Sequence, residues 1–154
     1  MCDGPDRQRV IIGCATAIVS PEGLLLIVQQ EHDGISDWGY VGGGLEAGES
    51  LQACAEREAF EEAGLRVCLE RLLSLSEFWQ DGGLLGIGCL FLALPESWPQ
   101  EVVLPEMDGA TRFLGHRWID QEEFEKLRES PEYDFGGLGW PSDVQEVMLR
   151  RVEA

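Results

Sequence analysis

The stretch Gly42-Gly43-Gly44-Leu45-Glu46-Ala47-Gly48-Glu49-Ser50, continued by Leu51-Gln52-Ala53-Cys54-Ala55-Glu56-Arg57-Glu58-Ala59-Phe60-Glu61-Glu62-Ala63-Gly64-Leu65, is a glycine-rich loop running into a helix. Ser50 stands where a side-chain oxygen caps the helix start, Glu49 lies beside the positive end, and Gly64 suits the left-handed position past the last turn. At about 100° per residue, Glu58 and Glu62 project in nearly the same direction, with Glu61 about 60° from Glu58 and about 100° from Glu62. Carboxylates crowded into one turn repel one another and weaken an isolated helix. A glutamate run is ordinarily a solvated face, yet here Leu51, Cys54 and Ala55 fall on the same arc as Glu58 and Glu62. Phe60 and Ala53 lie opposite, so the pattern leaves open which face is buried deeper. Clustered carboxylates beside an apolar stripe call for a cation, and oxygen ligands without His or Cys favour Mg²⁺ or Mn²⁺ over zinc.

Upstream, residues 10 to 19 are rich in β-branched side chains and read as a buried strand. Ser20-Pro21-Glu22-Gly23 is turn chemistry, and Leu24 to Val28 reads as a second strand paired to the first. Residues 31 to 37 are polar and read as a loop. Downstream, the apolar runs Val67 to Phe78 and Leu84 to Leu94 flank Gln80-Asp81-Gly82-Gly83 and read as a hairpin. Pro95, Pro99 and Pro105 make the segment to Gly109 an irregular excursion, of a length often tied to function. Arg112 to Ile119 reads as a strand, Asp120 caps a helix from Gln121, and Ser142 caps a final helix from Asp143 to about Val152. Trp140 beside that last helix is assigned to packing or a dimer contact. Strands and helices in this irregular order predict a mixed α/β sandwich rather than regular βαβ alternation.

The 154 residues suit a single domain, 1–154, large enough to bury about two-thirds of its unfolded surface. Twenty-nine acidic residues against eleven basic ones leave a formal charge of -18, and Lys126 is the only lysine. Such a surface repels phosphate backbones, so a nucleic-acid polymer is not the expected partner. A small anionic substrate needs bound cations to make its site locally positive. Five scattered cysteines without a CxxC pair argue against structural zinc and a disulfide framework; Cys14, Cys54, Cys68 and Cys89 are expected as core fillers. Neither a signal-peptide core nor a membrane-length apolar run is present, which predicts a cytoplasmic protein and no membrane partner.

The spacing Gly43, five residues, Glu49, seven residues, Arg57-Glu58, two residues, Glu61-Glu62, one residue, Gly64-Leu65 resembles the Nudix box of the MutT-like hydrolases. Every fixed charged or glycine position is present. Ala59 is small where the motif prefers a bulky aliphatic, and Val41 stands where the family's lead-in commonly has proline. The resemblance implies a Nudix-type α/β/α sandwich, a mixed sheet between helices with the box as loop–helix–loop. It also implies a magnesium-dependent pyrophosphatase chemistry: hydrolysis of a diphosphate linking a nucleoside to another group.

Carried over position by position, the resemblance makes Glu58 and Glu62 the main metal ligands, joined by Glu61 and the carbonyl of Gly42. Glu49 and Arg57 would pair and position the helix carboxylates. The general base varies within the family; Glu58 or Glu61 are candidates, as are Glu106 and Asp108 in the irregular loop. At Ala110, where many relatives have an acid, this chain has none. Trp38, Phe78, Trp79 and Trp118 are candidates for stacking on a base, though each suits a core equally. Arg112, His116 and Arg117 are candidates for phosphate, with strand alternation placing Arg112 and His116 on one face and Arg117 on the other. Nucleoside triphosphates, ADP-ribose, nucleotide sugars and dinucleoside polyphosphates all remain open as substrates. The shortness of the chain favours a small nucleotide, since nucleotide-sugar members tend to carry an additional N-terminal segment. Dimers are common among relatives, but no stretch identifies a homodimer interface. The alternative to an enzyme is a catalytically silent Nudix-like module that binds nucleotide for regulation, which would be expected to have lost box carboxylates.

Overall fold

In the computed structural model, residues 8–154 are described, and ten strands form two five-stranded sheets with two α-helices. The first sheet runs β10 (Met148–Glu153), β5 (Val67–Gln80), β6 (Gly83–Pro95), β1 (Ile11–Ile18), β4 (Val41–Gly44); the second runs β7 (Met107–Asp108), β8 (Thr111–Ile119), β2 (Leu25–His32), β3 (Ile35–Gly39), β9 (Tyr133–Asp134). The first sheet is mixed: β1 lies parallel to β6 and antiparallel to β4. Alternation along β1 and β2 builds two cores. Ile18, Leu26 and Val28 pack with Ala59 and Ala63 of α1 (Leu51–Ala63). Ala17, Leu25 and Ile27 pack instead with Phe124 of α2 (Gln121–Leu127). One helix therefore covers each face of the strand layer, as the α/β/α expectation requires.

Several expectations are corrected. The strand over Leu24 to Val28 exists, but it does not pair along β1, because both edges of β1 are already taken by β4 and β6. Only an isolated bridge, Val19 to Leu25, joins the two at the corner between sheets. Residues 31 to 37 are not a loop; β2 runs to His32, Asp33 and Gly34 turn with positive φ, and β3 returns. An Asp-Gly pair is the chemistry of a two-residue hairpin turn, and the polarity of its flanks hid it.

The final helix is absent. A short 3₁₀ turn, Pro141–Asp143, is followed by β10, which pairs in parallel with β5 from Met148 opposite Ser74 to Glu153 opposite Trp79. Otherwise unpaired backbone along β5 recruits this segment over its local helical preference. Trp140 is buried against Phe124, at 5.4 Å between ring centroids, so its assignment to packing fits. Cys14, Cys54 and Cys89 are buried as core fillers, whereas Cys68 is exposed on β5.

Candidate functional site

Local chemistry fixes where α1 begins and ends. The Ser50 Oγ accepts the Ala53 N–H at 3.0 Å, and Gly64 adopts φ 69° while its N–H reaches the Phe60 carbonyl at 2.9 Å. Between these caps the helix buries Cys54, Ala55, Glu58, Ala59, Glu62 and Ala63, while Ala53 and Phe60 face solvent. The acidic arc, not the Phe60 face, is thus the buried one. Glu58 is 5% exposed and Glu62 3%, and the Oε2 atom of each is buried without a hydrogen-bond partner.

Two glycines of β4 make room for these carboxylates. Gly43 packs directly against Glu58: a methyl added there would sit 2.7 Å from Oε2 and nearer still to Oε1. Gly42 lies opposite Ala15 in the ladder, with its backbone N–H beside Glu62. Burial pushes the Glu62 carboxyl well above the usual carboxylate range, reinforced by neighbouring Glu58 and, more weakly, by Asp108; the Gly42 amide opposes the shift.

Arg57 ties loop to helix. Its guanidinium donates to both oxygens of Glu49, at 3.0 Å from Nε and 2.7 Å from Nη2, and to the Gly44 carbonyl at 2.9 Å. Nη1 reaches Glu58 at 2.8 Å and Glu61 at 3.1 Å. The forked bond to Arg57 and the Glu46 backbone N–H hold the Glu49 carboxyl down at about 2, and the same bonds raise Arg57. The expected pairing of Glu49 with Arg57 is present.

Of the two loop acids, Asp108 joins the group. Carboxylate oxygens of Glu58, Glu61 and Asp108 lie within 4.8 Å of one another. Glu62 stands outside that spacing, and so does Glu106, whose carbonyl accepts the Phe113 N–H at 3.1 Å. Asp108 arrives because β7 folds back on β8, with Asp108 opposite Thr111. An all-oxygen group with one buried, unpartnered carboxylate oxygen on Glu58, and a second such oxygen on neighbouring Glu62, fits a hard divalent cation, which would satisfy acceptors that no donor reaches.

Beside this group, a cavity of about 500 Å³ opens between the two sheets, with Gly43 in its wall. Phe78 lines it; Trp38, Trp79 and Trp118 do not. Trp38 stacks on Tyr133 with 6.3 Å between centroids and lies under Arg117. Trp118 meets Trp98 edge-on, and Trp79 lies under Arg151.

The basic candidates on β8 are rearranged by a bulge. Arg112 pairs opposite Glu31, Arg117 opposite Ile27 and His116 opposite Val28. Arg112 therefore shares its face with Arg117, not with His116, because a bulge at Leu114 shifts the alternation. Arg117 is occupied by Glu123 and by the Tyr133 hydroxyl. None of the three lines the cavity.

Sequence reasoning missed Gln30, Asp37, Asp134 and Arg150, which do line it. Asp37 sat in a segment taken for a loop and Arg150 in one taken for a helix. The Asp33-Gly34 turn was the only local signal that would have placed Asp37 on a strand.

A family model described as the NUDIX domain matches residues 9–135. Among curated proteins, the chain is 30% identical over 95 residues to the Xenopus laevis nucleoside diphosphate-linked moiety X motif 6, covering 58% of this chain and 44% of that one. The chain thus spans less than half the length of that relative. Solved structures with the same fold include a Nudix hydrolase from Nitrosomonas europaea, with TM-score 0.64, 18% identity, and 90% and 97% of the two chains covered. They also include the Caenorhabditis elegans Ap4A hydrolase, with TM-score 0.60, 20% identity, and 80% and 89% covered.

Proposed function

Because the chain belongs to the Nudix family, we propose that it is a Mg²⁺-dependent hydrolase that cleaves the phosphoanhydride of a nucleoside diphosphate linked to a further group. The observation that carries this reading is the pair of buried, unpartnered oxygens on Glu58 and Glu62, beside Glu61 and Asp108. A buried carboxyl oxygen without a partner costs stability, and a binding role for a cation explains its retention.

In this proposal Glu58, Glu61, Glu62 and the Gly42 carbonyl hold the metal. When bound, Mg²⁺ would neutralise the diphosphate and acidify a water. Arg57, anchored by Glu49 and the Gly44 carbonyl, fixes the Glu58 and Glu61 side chains before substrate arrives, so little reorganisation remains at the moment of reaction. The proton of the attacking water goes to one of the two solvent-facing carboxylates, Glu61 or Asp108. The water oxygen bonds to phosphorus as the bridging phosphorus–oxygen bond of the anhydride breaks, and the displaced phosphate oxygen leaves on the second product. A silent binding module finds no support in the box, whose carboxylates are all retained.

The experiment is product release across nucleoside triphosphates, ADP-ribose, nucleotide sugars and dinucleoside polyphosphates with Mg²⁺, using wild type and Glu62→Gln. Activity that falls at least about a hundredfold in the variant is expected. Absence of turnover on every substrate, from folded protein that binds Mg²⁺, would overturn the enzymatic reading.

A further inference from the structure

The cavity next to Gly43 has a chemistry of its own. Asp37 on β3 and Asp134 on β9 both line it, both are solvent-accessible, and neither belongs to an ion pair among the described residues. The two strands are neighbours, with Gly39 opposite Asp134. Asp134 is fixed in place by the Gly136 N–H, which donates to Oδ1 at 2.9 Å. Burial and the nearby Asp134 both raise the Asp37 carboxyl, so the two acceptors sense each other.

Further polar capacity lines the same space. Tyr40 lines it too, and its buried hydroxyl has no hydrogen-bond partner. Phe78 supplies an exposed aromatic ring, held over Gly88, where an added methyl would come within 3.0 Å of it. Arg150 lines it from β10, a strand beyond residues 9–135 of the family match.

We propose that this cavity is the base-recognition pocket, and that Asp37 and Asp134 select a guanine-type base, one presenting a ring N–H beside an exocyclic amino group. This rests on the hydrolase reading and deepens it. Carboxylates only accept hydrogen bonds when ionised, so they pair with edges rich in donors. Adjacent N–H groups on one edge match a carboxylate in bidentate fashion, whereas adenine offers an acceptor beside its amino group and uracil a donor between two carbonyls. The ring of Phe78 adds stacking that any base can use, so discrimination rests on the acids.

The test is calorimetric binding of GMP, IMP, AMP and UMP to the intact chain with Mg²⁺ present. Monophosphates contain no anhydride, so binding is measured apart from turnover. GMP is expected to bind at least about tenfold more tightly than AMP or UMP, and IMP, lacking the amino group, to lose most of that advantage. In Asp134→Asn and Asp37→Asn, both surface substitutions checked by an unchanged melting temperature, the preference should shrink while UMP binding holds. Equal affinity for all four, or a guanine preference surviving in both variants, overturns the proposal. Turnover without base preference would sink this inference and leave the hydrolase reading standing; guanine-selective binding without turnover on any anhydride would do the reverse.

Discussion

Glu62 shows at a single residue what the site costs the fold. The folded state keeps a proton on this buried carboxyl at pH values where the unfolded chain has released it. Its contribution is therefore fully present below the ordinary carboxylate pKa and is lost as pH rises through the raised one, so the metal-free protein weakens toward alkaline pH. Glu62→Gln should raise the melting temperature of chelator-treated protein at pH 9 by an amount equivalent to about 1–3 kcal/mol, with little change near pH 4. A variant no more stable than wild type at pH 9 would contradict that sign. Glu49 behaves oppositely: its depressed carboxyl supports the fold above the ordinary value and stops doing so as pH falls toward about 2. Arg57→Lys keeps the charge but loses the fork that grips Glu49, Glu58 and Glu61 together. Its expected signature is a fall of about 10- to 100-fold in turnover or Mg²⁺ affinity, read by titrating Mg²⁺ against activity. All of these residues were legible in sequence, because they lie within one short stretch and helical spacing relates them. Asp37 and Asp134 were not, since nothing local connects two acids 97 positions apart that meet only through the β3–β9 pairing.

Among the elements, α1 was legible almost to the residue and β10 not at all. Ser50 and Gly64 carry the helix boundaries in their own chemistry, and neither needs a distant partner. Gly64 in addition packs against the irregular loop, where an added methyl would lie 3.0 Å from the Val103 Cβ. Gly64→Ala should then cost at least about 1–2 kcal/mol from the left-handed backbone alone, measured by denaturant midpoint. A neutral result would mean that the cap and the loop relax together. For β10, the stretch Met148 to Glu153 has helical propensity, and its strand state is dictated by the edge of β5. The Arg112–His116 alternation failed for a related reason: a bulge obeys the partner strand's register and leaves no mark in a single segment. Hairpins fared better. Asp81-Gly82 announced the β5–β6 turn, and Asp33-Gly34 would have announced β2–β3 had the polar flanks been weighed less.

At the scale of the whole molecule, the formal charge of -18 sets the long-range field. In the proposed reaction an anionic nucleotide would approach against that repulsion, and added salt screens it within about 10 Å at 0.1 M. KM should accordingly fall as NaCl rises from low ionic strength to about 0.2 M at saturating Mg²⁺. A KM that climbs with salt would mean that the local field of the loaded site outweighs the surface. No helix among the described residues is long and apolar enough to cross a membrane. The parallel pairing of β5 with β10 has a further consequence for how the protein is made. Ser74 meets Met148, so on a ribosome adding about 5–20 residues per second the β5 edge waits about 4–15 s for its partner to be synthesised. During that interval the nascent chain carries the complete acidic helix but not the wall bearing Arg150, and β5 offers bare backbone to any neighbouring polypeptide. Slowed translation between residue 135 and Glu153 would lengthen that exposure, making yield of soluble protein sensitive to codon choice over that stretch.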